Sequence, residues 1–379
     1  LRVFLARNAE GEWCAMPGGF ARLAAHGDIR AVLMGEGDLS ADVVIVDRQP
    51  PPPATMLGRQ AQIRRTSGML PSKAADNLFW LGRYLERAES TLRLVRALLG
   101  ASIEVDRRAA TDQQMRAGIA AQLAAWGAIE AETGTESIAT IAAAAIDGAE
   151  MASSVRRLLG EAQRVGQRLR DRLSIDYARL LRQPVPLAGE NGMALADIVS
   201  QLIERLSALS GLAAENMGRG DGWHFHDMGR RIERGIAISS ALARFGGDTA
   251  SSNDLSVLLD LADCQISYRN RYITGLSAAA VRDMVGLEQA NPRSLAFQCI
   301  AIGRHLKMLP SERQDGMPEL PMQIGASLAV TLAPLTGYSA EPVMFQQMEK
   351  RLRALSDAVC QRYFLQSRAR RRDIPTLMA

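Results

Sequence analysis

The sequence predicts a mainly α fold, an all-helical bundle of about 8–10 helices behind a short β-rich N-terminal segment. Three observations carry this expectation. Hydrophobic residues make up 47% of the 379-residue chain but aromatics only 5%, and β-branched runs are scarce beyond the first fifty residues. Such an Ala- and Leu-rich composition favours helices. Apolar residues recur at steps of three and four, as in Leu78, Leu81, Leu85, Ala88, Leu92, Val95 and Leu99, which is the helical period. Glycine and proline then cut these periodic runs at well-spaced points.

The elements follow in order. Residues 1–48 contain LRVFLAR and ADVVIVD, β-branched runs bounded by turn residues, with MPGGFARLA between them. They read as a small β-rich unit, too short to hold a core alone. Because Leu1 opens directly in a strand-like run, the expectation is the tail of something longer. Pro50 to Pro53 favour polyproline II, so 49–68 reads as a linker. Ser72 reads as the N-cap of the first long helix. Further helical runs cover 110–130, 136–148, 150–182, 193–217, 223–245, 253–280, 293–309 and 341–368. The breaks are Pro184, Pro186 and Gly189, then GRGDG at 218–222, GG at 246–247, Asn291-Pro292, and the Pro/Gly-rich 310–321. The helical domain is therefore placed at 69–367 and an Arg-rich tail at 368–379.

Composition also narrows function. A net charge of +4, from 45 basic and 41 acidic side chains, describes a well-solvated surface and argues against a nucleic-acid binder. Arg368, Arg370, Arg371 and Arg372 cluster at the end, where they read as a solvated tail. The scattered Cys14, Cys264, Cys299 and Cys360 form no C-x-x-C pair and read as reduced thiols of a cytoplasmic protein. No segment approaches ~18 consecutive apolar residues, so no membrane span is expected.

The motif with the most chemistry occurs twice. LGRYLERAE (81–89) and MGRRIERGI (228–236) place Gly82, Arg83, Glu86 and Arg87 in register with Gly229, Arg230, Glu233 and Arg234, 147 positions apart. Arg83, Glu86 and Arg87 share one helix flank, roughly opposite the main apolar stripe. Phe79, Ser90, Leu94 and Ala97 lie on that flank too, so the helix reads as buried all round. The expectation is two helices facing each other across a pseudo-twofold axis, brought close by Gly82 and Gly229, with each glutamate taking forked hydrogen bonds from arginines. Three readings stay open: a structural lattice, an anion site in which the arginines hold a carboxylate or phosphate, and a metal between the carboxylates. The metal reading lacks the Glu-x-x-His spacing of di-metal bundles.

Three smaller features remain. SYRNRY carries Tyr268, Arg269, Arg271 and Tyr272, a set that could face an anionic ligand or pack in the core. In NPRS, Asn291 reads as a helix cap ahead of Arg293 and Ser294, at a helix start that could also receive an anion. His224 and His226 lie two apart beside Asp221 and Asp227, where side chains on a helix diverge, so a zinc site would need a non-helical entry.

MLPSKAADNLFWLGRYLERAES (69–90), DGWHFHDMGRRIERG (221–235), SYRNRY and NPRS together resemble the bacterial alpha-E domain, over about residues 69–363. Within these motifs Asn77, Trp80, Gly82, Gly229, Asn291 and Ser294 take structural places. Residues 1–48 resemble the C-terminal end of a circularly permuted ATP-grasp ligase, with Ser40-Ala41-Asp42 where that family usually reads Ser-Lys-Asp. The joint resemblance implies an amidoligase system, in which an acyl phosphate forms and an amine attacks it.

The expectation is accordingly an accessory helical domain that binds or positions an anionic, peptide-like substrate. The contacts would come from Arg83, Arg87, Arg230, Arg234, Tyr268, Arg269, Arg271, Tyr272 and Arg293. ATP and Mg would belong to the absent ATP-grasp part, of the same or a neighbouring protein, with no cofactor and no metal in this chain. The alternatives are an independent amide-forming or amide-cleaving enzyme with Glu86 or Glu233 as base, and a purely structural oligomerisation module.

Overall fold

A computed structural model describes residues 5–7, 11–15, 18–23, 39–44, 70–100, 113–148, 150–186, 194–273, 275–313 and 315–364. The proline run, the linker and the arginine cluster of the tail lie outside these residues. The chain divides into two units, Leu1–Gly68 and Met69–Ala379. In the first, β1 (Leu5–Arg7) pairs antiparallel with β2 (Trp13–Ala15), and β3 (Gly18–Leu23) with β4 (Leu39–Val44).

The described part of the second unit is all-helical, with thirteen α-helices where about 8–10 are expected from the sequence. They are α1 (Ser72–Leu98), α2 (Gln113–Ala125), α3 (Ile138–Asp147), α4 (Val155–Gln167), α5 (Ile175–Leu181), α6 (Leu195–Asn216) and α7 (Asp221–Phe245). Then come α8 (Ser252–Leu261), α9 (Gln265–Arg271), α10 (Ala278–Val281), α11 (Leu295–Met308), α12 (Leu320–Leu332) and α13 (Pro342–Tyr363). A π-helical turn, Arg282–Leu287, continues α10.

Three corrections account for the extra helices. The run expected over 150–182 breaks between α4 and α5, where the Ser174 side chain accepts from the Tyr177 N–H and restarts the helix without any glycine or proline. The run expected over 253–280 breaks twice: after α8, where Asp263 adopts a left-handed backbone, φ 51°, which aspartate tolerates better than most residues, and between α9 and α10, where Ser277 caps the restart. α12 was not expected at all. Pro321, read as part of a break, sits in its first turn, where a missing N–H costs nothing and the fixed φ suits a helix.

Capping follows serine chemistry. Ser137, Ser154, Ser174, Ser251, Ser277 and Ser294 each precede a helix and accept a backbone N–H from three residues on. The cap expected at Ser72 is different: Pro71 occupies that place and Ser72 is already helical. Asn291 is also not the cap of α11. Ser294 is, while Asn291 accepts from the Arg293 N–H at 3.0 Å and donates to the Met284 carbonyl at 3.0 Å.

Two helices organise the core. Every residue from Ala88 to Val95 is buried, more than two full turns, so α1 is enclosed on all sides as its sequence pattern implies. α7 is the other, and its partners across the contact lie consistently near the α1 position plus 147. The two helices therefore run side by side in the same direction. Gly82 faces the carbonyl of His226, and Gly229 faces the carbonyl of Phe79. At either glycine a Cβ would stand 2.2 Å from that oxygen. Phe79 and His226 are themselves 147 apart, so the close approach is the same on both halves of the pair.

Candidate functional site

The paired motifs meet along this α1–α7 contact and cross over reciprocally. Arg83 Nε donates to Glu233 at 2.7 Å and Arg87 Nε to its other oxygen at 2.6 Å. In return Arg234 grips Glu86 with two bonds, 2.5 and 2.7 Å, while Arg230 stands 3.6 Å from it. Arg83 also donates to Ser356 at 2.5 Å, which ties α13 to the pair, and its guanidinium lies over Trp80 at 4.7 Å. Asn77 is half-buried on the same helix.

A second carboxylate extends the lattice on one side. Glu89, one turn beyond Glu86, accepts from Arg293 at 2.5 Å and from Arg93 at 3.0 Å, with Arg234 3.7 Å away. Burial alone would raise its pKa, but these three guanidiniums hold it well below the carboxylate range. Burial, followed by repulsion from Arg234, lowers Arg293 to about 10. Through Arg293 the NPRS turn joins the lattice, and Arg271 in turn pairs with Glu288 beside that turn. Thus all four motifs are physically linked, yet SYRNRY does not share the lattice. Tyr268 is buried, donating to the Gly275 carbonyl, with its ring tilted against that of Tyr272 at 4.8 Å. The Tyr272 hydroxyl is bonded to Asp283, and Arg269 lies on α9 between them.

Toward the start of α7 the charges pass into a histidine group. Asp227 accepts from His305 at 2.8 Å and Arg231 at 3.0 Å. Burial opposes its charge, but the His305 hydrogen bond and the two arginines keep it well below its usual range. His305 Nδ1 and His224 Nδ1 lie 3.0 Å apart, within hydrogen-bond reach of each other. His226 points elsewhere, to the Tyr177 hydroxyl at 3.3 Å, so the His224/His226 pair diverges along α7. Among the described residues no three His, Cys, Asp or Glu side chains are gathered as a metal site.

His226 is buried and its pKa falls to about 4, first through burial and then through Arg230. A folded pKa below the ordinary 6.5 gives stability that is whole above 6.5 and lost as pH falls towards 4. The shift corresponds to about 3 kcal/mol. Thermal melts between pH 7 and 4 are expected to show this loss, and His226→Gln to flatten it; an unchanged slope in the variant would place the titration elsewhere.

The lattice is rich in cations. Arg83, Arg87, Arg93, Arg230, Arg231, Arg234 and Arg293 face four carboxylates, Glu86, Glu89, Asp227 and Glu233, with half-exposed Asp263 on the outer side of Arg93. Two hollows adjoin it. One, about 10 Å³, lies among Glu86, Glu89, Tyr177, His226 and Arg230 and has room for a single water. The other, about 80 Å³, lies on the Arg87–Glu233 side and is lined by Ser90, Trp126, Ile236, Ala237 and Arg353. The larger groove near Tyr363, about 420 Å³, is lined mostly by the segment between α11 and α12, with none of the lattice groups in its lining.

Glu89, Arg231, His305 and Arg353 escaped the sequence reading as site residues, and Ser90 and Asp227 entered it only as a flank residue and a neighbour of the histidines. Glu89 and Ser90 align with Ile236 and Ala237 at the 147-residue offset, so a search for repeated residues passes over them. Asp227, Arg231, His305 and Arg353 carry no repeat either. Burial raises the thiols of Cys264 and Cys299 to about 12 and of Cys360 to about 11, which removes them as nucleophiles near neutral pH.

A family model described as a predicted alpha-helical domain with a conserved ER motif matches residues 70–364. Both Glu86-Arg87 and Glu233-Arg234 in the lattice read as that dipeptide. Uncharacterized proteins of Mycobacterium tuberculosis H37Rv and Mycobacterium bovis are each 28% identical to the chain over 310 residues. The alignments cover 74% of this chain and 34% of each relative, so the chain spans about a third of the length of these proteins. No solved structure matches. No helix among the described residues is long and apolar enough to cross a membrane.

Proposed function

The chain belongs to the alpha-E family, and from that premise we propose that it is the accessory helical domain of an ATP-dependent carboxylate–amine ligase, where it holds an anionic, peptide-like substrate. The observation that carries this reading is the surplus of guanidinium groups: seven arginines against five carboxylates, Asp263 included, in one cluster whose arginines are buried or half-buried. Excess buried cations favour a further anion, because fixed like charges in a low dielectric repel one another until a counter-charge arrives. The amidoligase setting is supported by the resemblance of residues 1–48 to the end of an ATP-grasp domain. ATP and Mg would bind in that domain, outside this helical unit.

The geometry favours this over an independent enzyme with a glutamate base. Both oxygens of Glu233 are taken by Arg83 and Arg87, and both of Glu86 by Arg234. Burial raises the Glu233 pKa, but the two arginines more than reverse it, and a depressed pKa makes a poor proton acceptor at neutral pH.

The test is ADP release by the ATP-grasp part, supplied with an acidic peptide and an amine, with and without the helical chain. The helical chain is expected to raise the rate at limiting peptide. Equal rates would overturn the proposal.

A further inference from the structure

One difference between the two halves of the lattice leaves an arginine short of a carboxylate. Arg234 has two carboxylates within reach, Glu86 at 2.5 Å and Glu89 at 3.7 Å. Its counterpart Arg87 has one, Glu233 at 2.6 Å. The residue that corresponds to Glu89 on the other helix is Ile236, which supplies no charge. Beside Ile236, where a second carboxylate would complete the symmetry, lies the hollow of about 80 Å³.

Its lining is made for an oxyanion. Arg87 borders the hollow and meets Glu233 through Nε, and its side chain is 26% exposed. Trp126 is in the lining, and its indole N–H is buried without an acceptor among the described residues. A buried donor of this kind is costly unless something accepts from it. Ser90 adds a buried hydroxyl, and Arg353 stands at the mouth, half-exposed and paired with Glu349. Ala125 and Ala237 keep the walls low. The one carboxylate in the lining, Glu233, is already occupied by two arginines.

We infer that this hollow is a binding site for one oxyanion group, which does for Arg87 what Glu89 does for Arg234. The ligand head is a carboxylate or a phosphate, held by Arg87, the Trp126 N–H and the Ser90 hydroxyl, with Arg353 attracting it at the entrance. The volume takes one such head and leaves the rest of the ligand outside. This inference deepens the anion-holding reading above and rests on it.

Titration calorimetry on the full 379-residue chain tests it, with inorganic phosphate and glutarate as separate probes at matched ionic strength and chloride as the control. The wild type is expected to bind at least one of the two, and whichever binds more tightly identifies the head group. Trp126→Phe and Arg353→Gln lie outside the ion-pair lattice and are expected to fold. Each is expected to weaken binding about tenfold, the loss of one charge-assisted contact. Ile236→Glu supplies the missing carboxylate from the protein itself and is expected to abolish binding while the thermal transition survives. If neither probe binds the wild type, this site and the anion-holding reading fall together. If a probe binds but Trp126→Phe and Arg353→Gln bind as the wild type does, the site is wrong and the anion-holding reading stands.

Discussion

Replacing Gly82 by alanine is expected to destabilise the helical unit by at least about 3 kcal/mol, at the upper end for overpacking, and Gly229→Ala to do the same. At either position the added Cβ would stand 2.2 Å from a backbone carbonyl oxygen, of His226 or of Phe79. A side chain can rotate out of the way, but a helical carbonyl cannot. The two helices would have to separate, and the ion pairs between them would lengthen with them. Gly160→Ala is the control: nothing lies within 4 Å of its would-be Cβ and α4 is exposed there. That change should stabilise by about 0.5–1 kcal/mol through helix propensity alone. Urea unfolding midpoints would decide it, and a Gly82→Ala protein as stable as wild type would mean that the close approach is not what holds the pair.

The same glycines show how much of the site was legible in the sequence. A repeat of Gly, Arg, Glu and Arg at one offset, set among small and apolar neighbours, is enough to predict two buried helices in contact and carboxylates shared between them. What such a repeat cannot show is where the halves differ. Glu89 is in the quoted stretch, yet its counterpart is Ile236, so symmetry reasoning passes it by. The partners that come from elsewhere, Arg293, Ser356, His305 and Trp126, meet the lattice only through tertiary packing, and no local period encodes that. In the fold, the long periodic helices α1, α6, α7 and α13 were plain. The misses came where helices restart without a glycine or proline, as at Ser174, or where proline starts a helix, as at Pro321.

Glu86→Gln carries the second large expectation. Glu86 is 2% exposed and Arg234 6%, so the variant leaves a buried guanidinium facing a neutral amide, a loss of about 3–5 kcal/mol. Glu233→Gln should cost less, because one of its two partners, Arg87, reaches half-open space and the hollow beside it. The order of the two losses therefore reports the asymmetry directly, and a larger loss at Glu233 would contradict it. Acid should reproduce part of the effect in the wild type. Glu233, Glu89 and Asp227 all titrate below their ordinary values in the folded chain. Their contribution is present above the ordinary carboxylate range and is lost as pH falls through and below it. Glu233→Gln should shallow that acid limb, with an unchanged denaturant slope at pH 7 showing that the unfolded state is the same. Finally, an apolar pair in place of the ions, Glu86→Leu with Arg234→Met, should recover most of what Glu86→Gln loses, since it strands no charge at Arg234. If the double variant is instead as unstable as Glu86→Gln, the ion pair itself, and not the stranded charge, is what this core requires.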